Sequence, residues 1–370
     1  MTTKTNKYEY EIERMQVRTW SWLKVNTASL SLYADEEKGL KDVSIEASEA
    51  IETSHDISGV VFPKDASKEF MNEKMESFLE ENRNVCYYIR IPDHHKEKEP
   101  IRITFEFDKN ANVFAEDLVI EAGEQSESSV LIQYVSKDGS VGYHSGRTRV
   151  LVQKNASLRI MKTQLLNDNT AHNDIFGGTV AENGKLSVLQ AEMGSKGAVA
   201  SWNVLLLGEQ SEADVDVVYV GEKEKKLDFS SRVEFQAPKS VSNVRVRGVL
   251  LGHSKKIFRD TLDFISGSRG AKGREEEEVL MLSKNARNIS VPLMFCGEDD
   301  VQGEHAASSG RPDESTLFYL MSRGLSEADS KKLLAESKFA AILDNLPDDA
   351  LKEEILERLR TSIEEGGNEL

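Results

Sequence analysis

Two cysteines in 370 residues, Cys86 and Cys296, set the first limit on this chain. They cannot build a disulfide framework. Nor can they alone supply the four thiolates of a zinc ribbon or an iron–sulfur cluster. A reducing compartment is the expectation that follows. Proline is scarce too, at seven residues, so no Pro-rich linker divides the chain. No apolar run approaches the ~20 residues of a membrane helix. The opening MTTKTNKYEYEIERM lacks the apolar stretch of a secretory signal, so a cytoplasmic protein is expected. Basic charge is in deficit, with 47 Lys and Arg against 64 Asp and Glu and a net charge of −17. Nucleic-acid binders usually carry a basic stripe, so the expected partners include neither nucleic acid nor a membrane. The P-loop pattern, G-x-S-x-G and H-E-x-x-H are all absent.

What is present falls into three zones. Residues 1–100 are mixed. Within them, 66–80 place Phe70, Met71, Met75, Phe78 and Leu79 at helical spacing. Residues 101–312 form a long series of short runs in which branched and polar residues alternate, such as IRITFEF (101–107), DVDVVYV (214–220) and NVRVRGVLL (243–251). Alternation of this kind marks a pleated surface with a buried face. A unit recurs there: an apolar run, a small or polar corner, then an alternating run. VLVQKNASLRI (150–160), GTVAENGKLSV (178–188) and LLGEQSEADVDV (206–217) put Leu158, Leu186 and Val215 in matching places. A repeating corner predicts a β-solenoid of stacked parallel sheets, with an antiparallel sandwich as the competing fold. Residues 313–370 are helical. Arg323-Gly324 stops the first helix, Ser326-Glu327-Ala328-Asp329 opens the second, and Pro347-Asp348-Asp349 opens a third bearing Leu351, Ile355, Leu359 and Ile363. The apolar stripes of these helices are expected to pack together and cover an end of the solenoid.

Candidate chemistry is sparse. Gly267–Arg274 (GSRGAKGR) is glycine-rich but lacks P-loop order, and reads as a solenoid turn. His144-Ser145, inside Gly142–Gly146, also reads as a turn. The segment from Cys296 to His305 gathers a thiol, four carboxylates and an imidazole in ten residues, groups that bind transition metals. Its spacing matches no defined site, and Asp299-Asp300 reads equally as a turn.

Residues 280–325 carry a resemblance. Asp300-Val301-Gln302-Gly303-Glu304-His305-Ala306-Ala307-Ser308, followed by Leu317-Phe318-Tyr319-Leu320-Met321-Ser322-Arg323-Gly324, resembles the C-terminal region of the SufB/SufD family. These proteins are the non-ATPase components of SUF iron–sulfur cluster assembly. The aromatic RTWSWLKVN (18–26) is similar to the family's N-terminal motif. The resemblance implies a mainly β protein: a right-handed parallel β-helix between a mixed N-terminal region and a C-terminal helical one. It implies no independent catalysis. The SufB pattern has a cysteine before its Leu-Leu-Ile run and a glutamate after the histidine. This chain has Glu275-Glu276-Glu277-Glu278 and Ala306 there, so it follows the SufD pattern, with Gly303 where that pattern has a cysteine.

By the same resemblance, His305 is the residue expected at the cluster-assembly interface and as a metal ligand. Leu317, Phe318, Tyr319, Leu320, Met321, Arg323 and Gly324 are expected to bind the SufC ATPase. SufB is the expected partner along the β-helix edges, with a homodimer when the chain is isolated. No stable cofactor is expected, only iron or an iron–sulfur cluster shared transiently with SufB. Two other readings stay open at this point: a SufB-like scaffold with a site rearranged around Cys296, and a β-helix enzyme acting on polysaccharides.

Overall fold

The computed structural model describes residues 5–18, 21–36, 39–63, 73–346 and 348–366. Two antiparallel strands, β1 (Thr5–Glu13) and β2 (Thr27–Asp35), form a hairpin. Two short strands follow, β3 (Ser44–Glu46) and β4 (Glu52–Ser54), and then helix α1 (Glu73–Asn82). The rest of the chain to residue 310 is a parallel β-solenoid made of two nine-stranded sheets.

Successive strands alternate between the sheets. One sheet holds β6 (Ile101–Phe107), β8 (Glu127–Ser136), β10 (Ser157–Leu165), β12 (Lys185–Glu192), β14 (Glu212–Gly221), β16 (Val241–Leu250), β18 (Lys272–Met281) and β20 (Gln302–Gly310). The other holds β5 (Val85–Ile91), β7 (Val113–Ala122), β9 (Gly142–Val152), β11 (Thr170–Val180), β13 (Gly197–Leu206), β15 (Lys226–Phe235), β17 (Lys255–Phe264) and β19 (Arg287–Cys296). Every neighbouring pair among these is parallel. The parallel ladder thus takes in β5, from within the first sequence zone. At the N-terminal end, β3 and β4 close the two sheets by pairing antiparallel with β6 and β5. At the other end β19 and β20 each have a ladder partner on one side alone among the described residues.

The recurring corner explains the stacking. Gln125, Asn155, Asn183, Gln210 and Lys239 all take positive φ, between 54° and 59°. Each donates its backbone N–H to the next coil, as in Asn155 N to Glu182 O and Asn183 N to Glu209 O, both 3.0 Å. A left-handed residue turns the chain sharply, and Asn is among the residues that tolerate it. Gly267 and Gly270, in the segment read as a turn, also have positive φ and join β17 to β18. Two details of the sequence reading change. Leu158 does stack on Leu186, but Leu186 pairs with Ala213, and Val215 lies beside Val188. The coil carrying Val215 is therefore two residues out of the assumed alignment. Gly142–Gly146 is no turn: it opens β9, with His144 fully buried.

The outer faces of the sheets are covered unequally. Hairpin β1–β2 and α1 lie against the β7 sheet, burying Leu30, Leu32, Met75, Phe78 and Leu79 with Ala115. This accounts for β7 being buried on both faces while β6 alternates. Phe70 and Met71 fall outside the described residues. Helices α2 (Glu314–Ser322), α3 (Glu327–Leu343) and α4 (Asp349–Gly366) follow β20. Phe339, Ile342, Ile355 and Leu359 pack with Leu189, Val218, Val249 and Leu280, which sit on the outer face of the β12–β18 sheet. The expectation that the helices cover an end is corrected: they run along the flank, because that sheet presents the matching apolar stripe. Ser326 and Gly324 cap where the sequence indicated, and Asp313 adds an N-cap to α2. Asp313 accepts from Thr316 N at 2.9 Å, Ser326 accepts from Asp329 N at 3.1 Å, and Gly324 takes φ 96°. Pro347 lies outside the described residues. Among the described residues no helix is long and apolar enough to cross a membrane.

Candidate functional site

Inside the solenoid, alternate residues of each strand point to the lumen. The run Glu275-Glu276-Glu277-Glu278 is therefore split. Glu275 and Glu277 are buried, whereas Glu276 and Glu278 face outward to Arg247 and Lys338. Glu277 makes an ion pair with buried Lys256 of β17. Glu275 stands beside His305 in the ladder between β18 and β20. Asp260, on β17 in the opposite sheet, reaches the same point. One ligand atom each of Asp260, Glu275 and His305 lies within 4.8 Å of the others.

His305 is poised between two acceptors. Nδ1 lies 2.9 Å from Glu275 Oε2 and Nε2 lies 3.1 Å from Leu293 O on β19. A ring that faces a carboxylate and a carbonyl satisfies both by donating from both nitrogens, as an imidazolium. Burial alone would lower its pKa. The hydrogen bond to Glu275, the charges of Asp260 and Glu275 and the Leu293 carbonyl outweigh this and raise it. Asp260 is fully buried, and no hydrogen bond of ordinary geometry reaches either oxygen. Its pKa is pushed up to about 8, first by burial and then by the charge of Glu275, against weaker pulls from the Ser231 hydroxyl and His305. The cluster can store a proton. It can also ligate a metal once a ring nitrogen gives up its proton. His305 retains 18% of its side-chain exposure while Glu275 retains 2%, so the imidazole is the part of the cluster that meets the open end.

The contiguous segment from Cys296 to His305 does not converge. Among the described residues, the metal-ligand grouping around His305 takes Asp260 and Glu275, and no member of 296–304. Asp300 pairs with Arg269, and Glu298 accepts from Gly267 N at 3.0 Å, so the acidic run is a turn. Cys296 ends β19 exposed, and Cys86 is buried with its thiol pKa raised chiefly by burial. Sequence proximity misled because a strand turn carries adjacent residues to different sheets. The partners of His305 are instead two and three strands back in the chain, on β18 and β17, at separations of 30 and 45 residues. The coil length was the signal that would have found Glu275.

Gly303, where the resemblance expects a cysteine, faces the lumen. A Cβ there would stand 2.5 Å from Met294 Sδ and 3.2 Å from Phe264. Phe264 in turn stacks on Phe235, with centroids 4.4 Å apart. Met294 and the phenylalanines fill the space a thiol would need.

Of the residues expected to bind an ATPase, Leu317, Phe318, Tyr319, Leu320 and Met321 sit on α2, which has no buried residue, and Arg323 and Gly324 follow at its C-terminal end. Phe318, Tyr319 and Met321 are 74%, 55% and 44% exposed, and the Arg323 guanidinium stands over the Tyr319 ring at 5.3 Å. Leu317 and Leu320 are half-buried beneath them, and Arg323 and Gly324 are exposed.

Comparison with known proteins now decides the family. Residues 105–338 match the model of the SufBD core domain of SUF-system FeS cluster assembly. The chain belongs to the SufBD core family. It is similar to the iron–sulfur cluster assembly protein SufD of Bacillus subtilis, at 24% identity over 281 residues, covering 75% of this chain and 64% of that one. It is also similar to an iron–sulfur cluster assembly SufBD family protein of Staphylococcus epidermidis, at 24% identity over 266 residues, covering 70% and 56%. The chain thus spans less than two thirds of the length of these relatives. The family's matched core runs from β6 into α3 and contains the whole of the Asp260–Glu275–His305 cluster.

Proposed function

We propose that the chain is a SufD-type subunit of the SUF assembly machinery. It pairs with SufB through the open end of the solenoid, binds the SufC ATPase through α2, and supplies His305 where iron or the nascent cluster is held. The observation that carries this reading is the placement of His305. It lies on the last strand, partly exposed, beside two buried carboxylates, at the end where β19 and β20 have no outer neighbour among the described residues. Unpaired edges favour strand addition by another chain. The site on this chain offers an imidazole and carboxylates but no thiolate, and cluster ligation needs thiolates. A partner contributing cysteine completes the set. Iron and cluster are cargo in this account. The isolated chain uses the same edge to form a homodimer, and the protein works in a reducing, cytoplasmic compartment.

On α2, the exposed Phe318, Tyr319 and Met321 form an apolar face that a partner ATPase would cover. ATP-driven movement of SufC would then be transmitted through the helices to the flank of the solenoid. The test is His305→Ala in the co-expressed three-component complex, scored by bound iron and acid-labile sulfide. Loss of both from an intact complex supports the role of His305. Normal loading by an intact complex removes it, and loss that instead follows Cys296→Ser would move the site to that thiol.

A further inference from the structure

A second polar chamber lies deeper in the solenoid, four ladder steps from His305 along β12, β14, β16, β18 and β20, or about 19 Å at the usual strand spacing. It is separated from the terminal cluster by apolar layers that include Trp202, Phe229 and Val217, all fully buried. Its ligand-bearing side chains are at most 1% exposed. His144 and His172 stack in register on β9 and β11, with Nδ1 to Nδ1 at 2.9 Å. Each ring then turns its Nε2 to a carboxylate: His144 to Glu116 at 3.5 Å, and His172 to Glu192 at 3.4 Å. Neither Nε2 makes a hydrogen bond of ordinary geometry.

The proton count is informative. Only one hydrogen sits between the two Nδ1 atoms. If His172 donates it as a neutral ring, its Nε2 lone pair points at Glu192. If His144 donates it, the lone pair of His144 points at Glu116. In either arrangement a lone pair confronts a fully buried carboxyl group, which requires a cation or an added proton between them. Formal charge gives the same result. Three buried carboxylates, Glu116, Asp174 and Glu192, face one buried ammonium, Lys162, which bonds Asp174 Oδ1 at 2.7 Å. Burial pushes Glu116 up to about 8, so it keeps its proton at neutral pH. Asp174 and Glu192 are then left one positive charge short, at the His172 end.

The His172 end has the better ligand set. His172 Nε2, Asp174 and Glu192 present ligand atoms all within 4.8 Å of one another. The 3.4 Å between His172 Nε2 and Glu192 Oε1 matches the edge of a tetrahedron of donors about 2.1 Å from a metal. Gln190 Nε2 donates to Asp174 Oδ2 at 3.2 Å and to Glu192 Oε1 at 2.6 Å, leaving its Oε1 unpaired. A turn of the amide about its last torsion exchanges the two atoms and brings Oε1 to the acids when an ion sits between them. His144 accepting from His172 Nδ1–H would orient the ligand ring, as outer partners do in metal sites. We propose that His172, Asp174 and Glu192 form a buried site for a first-row divalent metal ion, Fe(II), Mn(II) or Zn(II), with Gln190 Oε1 as a further oxygen donor.

One imidazole with two carboxylates suits these ions better than a soft ion that requires thiolate. The site is enclosed, so the ion enters as the coils close. The test is therefore made on full-length protein expressed with each metal in the medium, and on protein refolded from urea with Mn(II), Zn(II) or anaerobic Fe(II). After dialysis against chelator, metal content is measured, and anomalous scattering locates the ion in crystals. One equivalent per chain is expected, with an anomalous peak between His172 and Glu192. Asp174→Asn and His172→Gln should each lower retention at least about tenfold, while His305→Ala, in the other cluster, should retain it. Absence of retained metal in the wild type under every loading condition overturns the proposal. So does a peak located elsewhere, or unchanged retention in both variants. If the variants do not fold, the wild-type anomalous map decides alone.

Discussion

Asp260 gives the most exacting quantitative prediction. A carboxyl that is fully buried, without well-formed hydrogen bonds, beside Glu275, is held protonated up to about pH 8. In the unfolded chain it ionises near pH 4. Its native pKa is raised, so its contribution to stability is present at acid pH and is lost as pH rises, until the native group also ionises at about 8. Each pH unit in that window costs about 1.4 kcal/mol, so the rise from pH 5 to pH 9 removes about 4 kcal/mol. His305, whose pKa is also raised, acts in the same direction: its stabilising proton is lost as pH climbs through the raised value. Asp260→Asn deletes the larger of these effects and keeps the side-chain shape. Urea unfolding of both proteins, in chelator, at pH 5, 7 and 9 measures it. The stability gap should move by about 4 kcal/mol in favour of the variant between pH 5 and 9. Parallel pH profiles for the two proteins would refute the assigned environment of Asp260.

Four further outcomes are expected. Gly303→Cys should destabilise by about 1–3 kcal/mol, because its Cβ meets Met294 Sδ, and a second change, Met294→Ala, should recover part of that loss in thermal unfolding. Phe339→Ala, beneath α3, should cost about 3–5 kcal/mol and expose the helical unit to protease first. Phe318→Ser should leave stability within about 0.5 kcal/mol, since the ring is exposed, yet weaken SufC binding at least about tenfold by titration calorimetry. Lys256→Met should cost about 3–5 kcal/mol by leaving Glu277 unpaired, whereas Lys256→Met with Glu277→Leu should lie closer to the wild type in denaturant midpoint.

The solenoid was legible because its two cues are local. Alternation marks the pleat, and a polar corner such as Lys154-Asn155 or Glu182-Asn183 marks the return. The cap at Ser326 and the stop at Gly324 are equally local. The lumen was not legible, because the rule that polar residues face water fails inside a closed coil. His144 looked like part of a turn since glycines flank it, yet those glycines are strand residues. A side chain at Gly146 would run into Glu116 and the His144 ring. In the run from Glu275 to Glu278 four like residues have two environments, because the period of two buries every second member. His305 was singled out by its motif, whereas its neighbours Asp260 and Glu275 needed the strand register, which no adjacent residue announces. The seat of the helices on the flank depended on which sheet face was left apolar, a property of six strands of one sheet, β8 to β18, taken together.

The central claim is that this chain is a subunit whose terminal coil pairs with SufB and whose α2 binds SufC. Light scattering of the purified chain with SufB and SufC, with and without ATP, tests it most directly. The account predicts a stable particle holding one copy of this chain and one of SufB with SufC bound, disrupted at SufC by Phe318→Ser and at SufB by a proline placed in β20. A chain that stays alone or self-paired while SufB and SufC assemble without it would contradict the account.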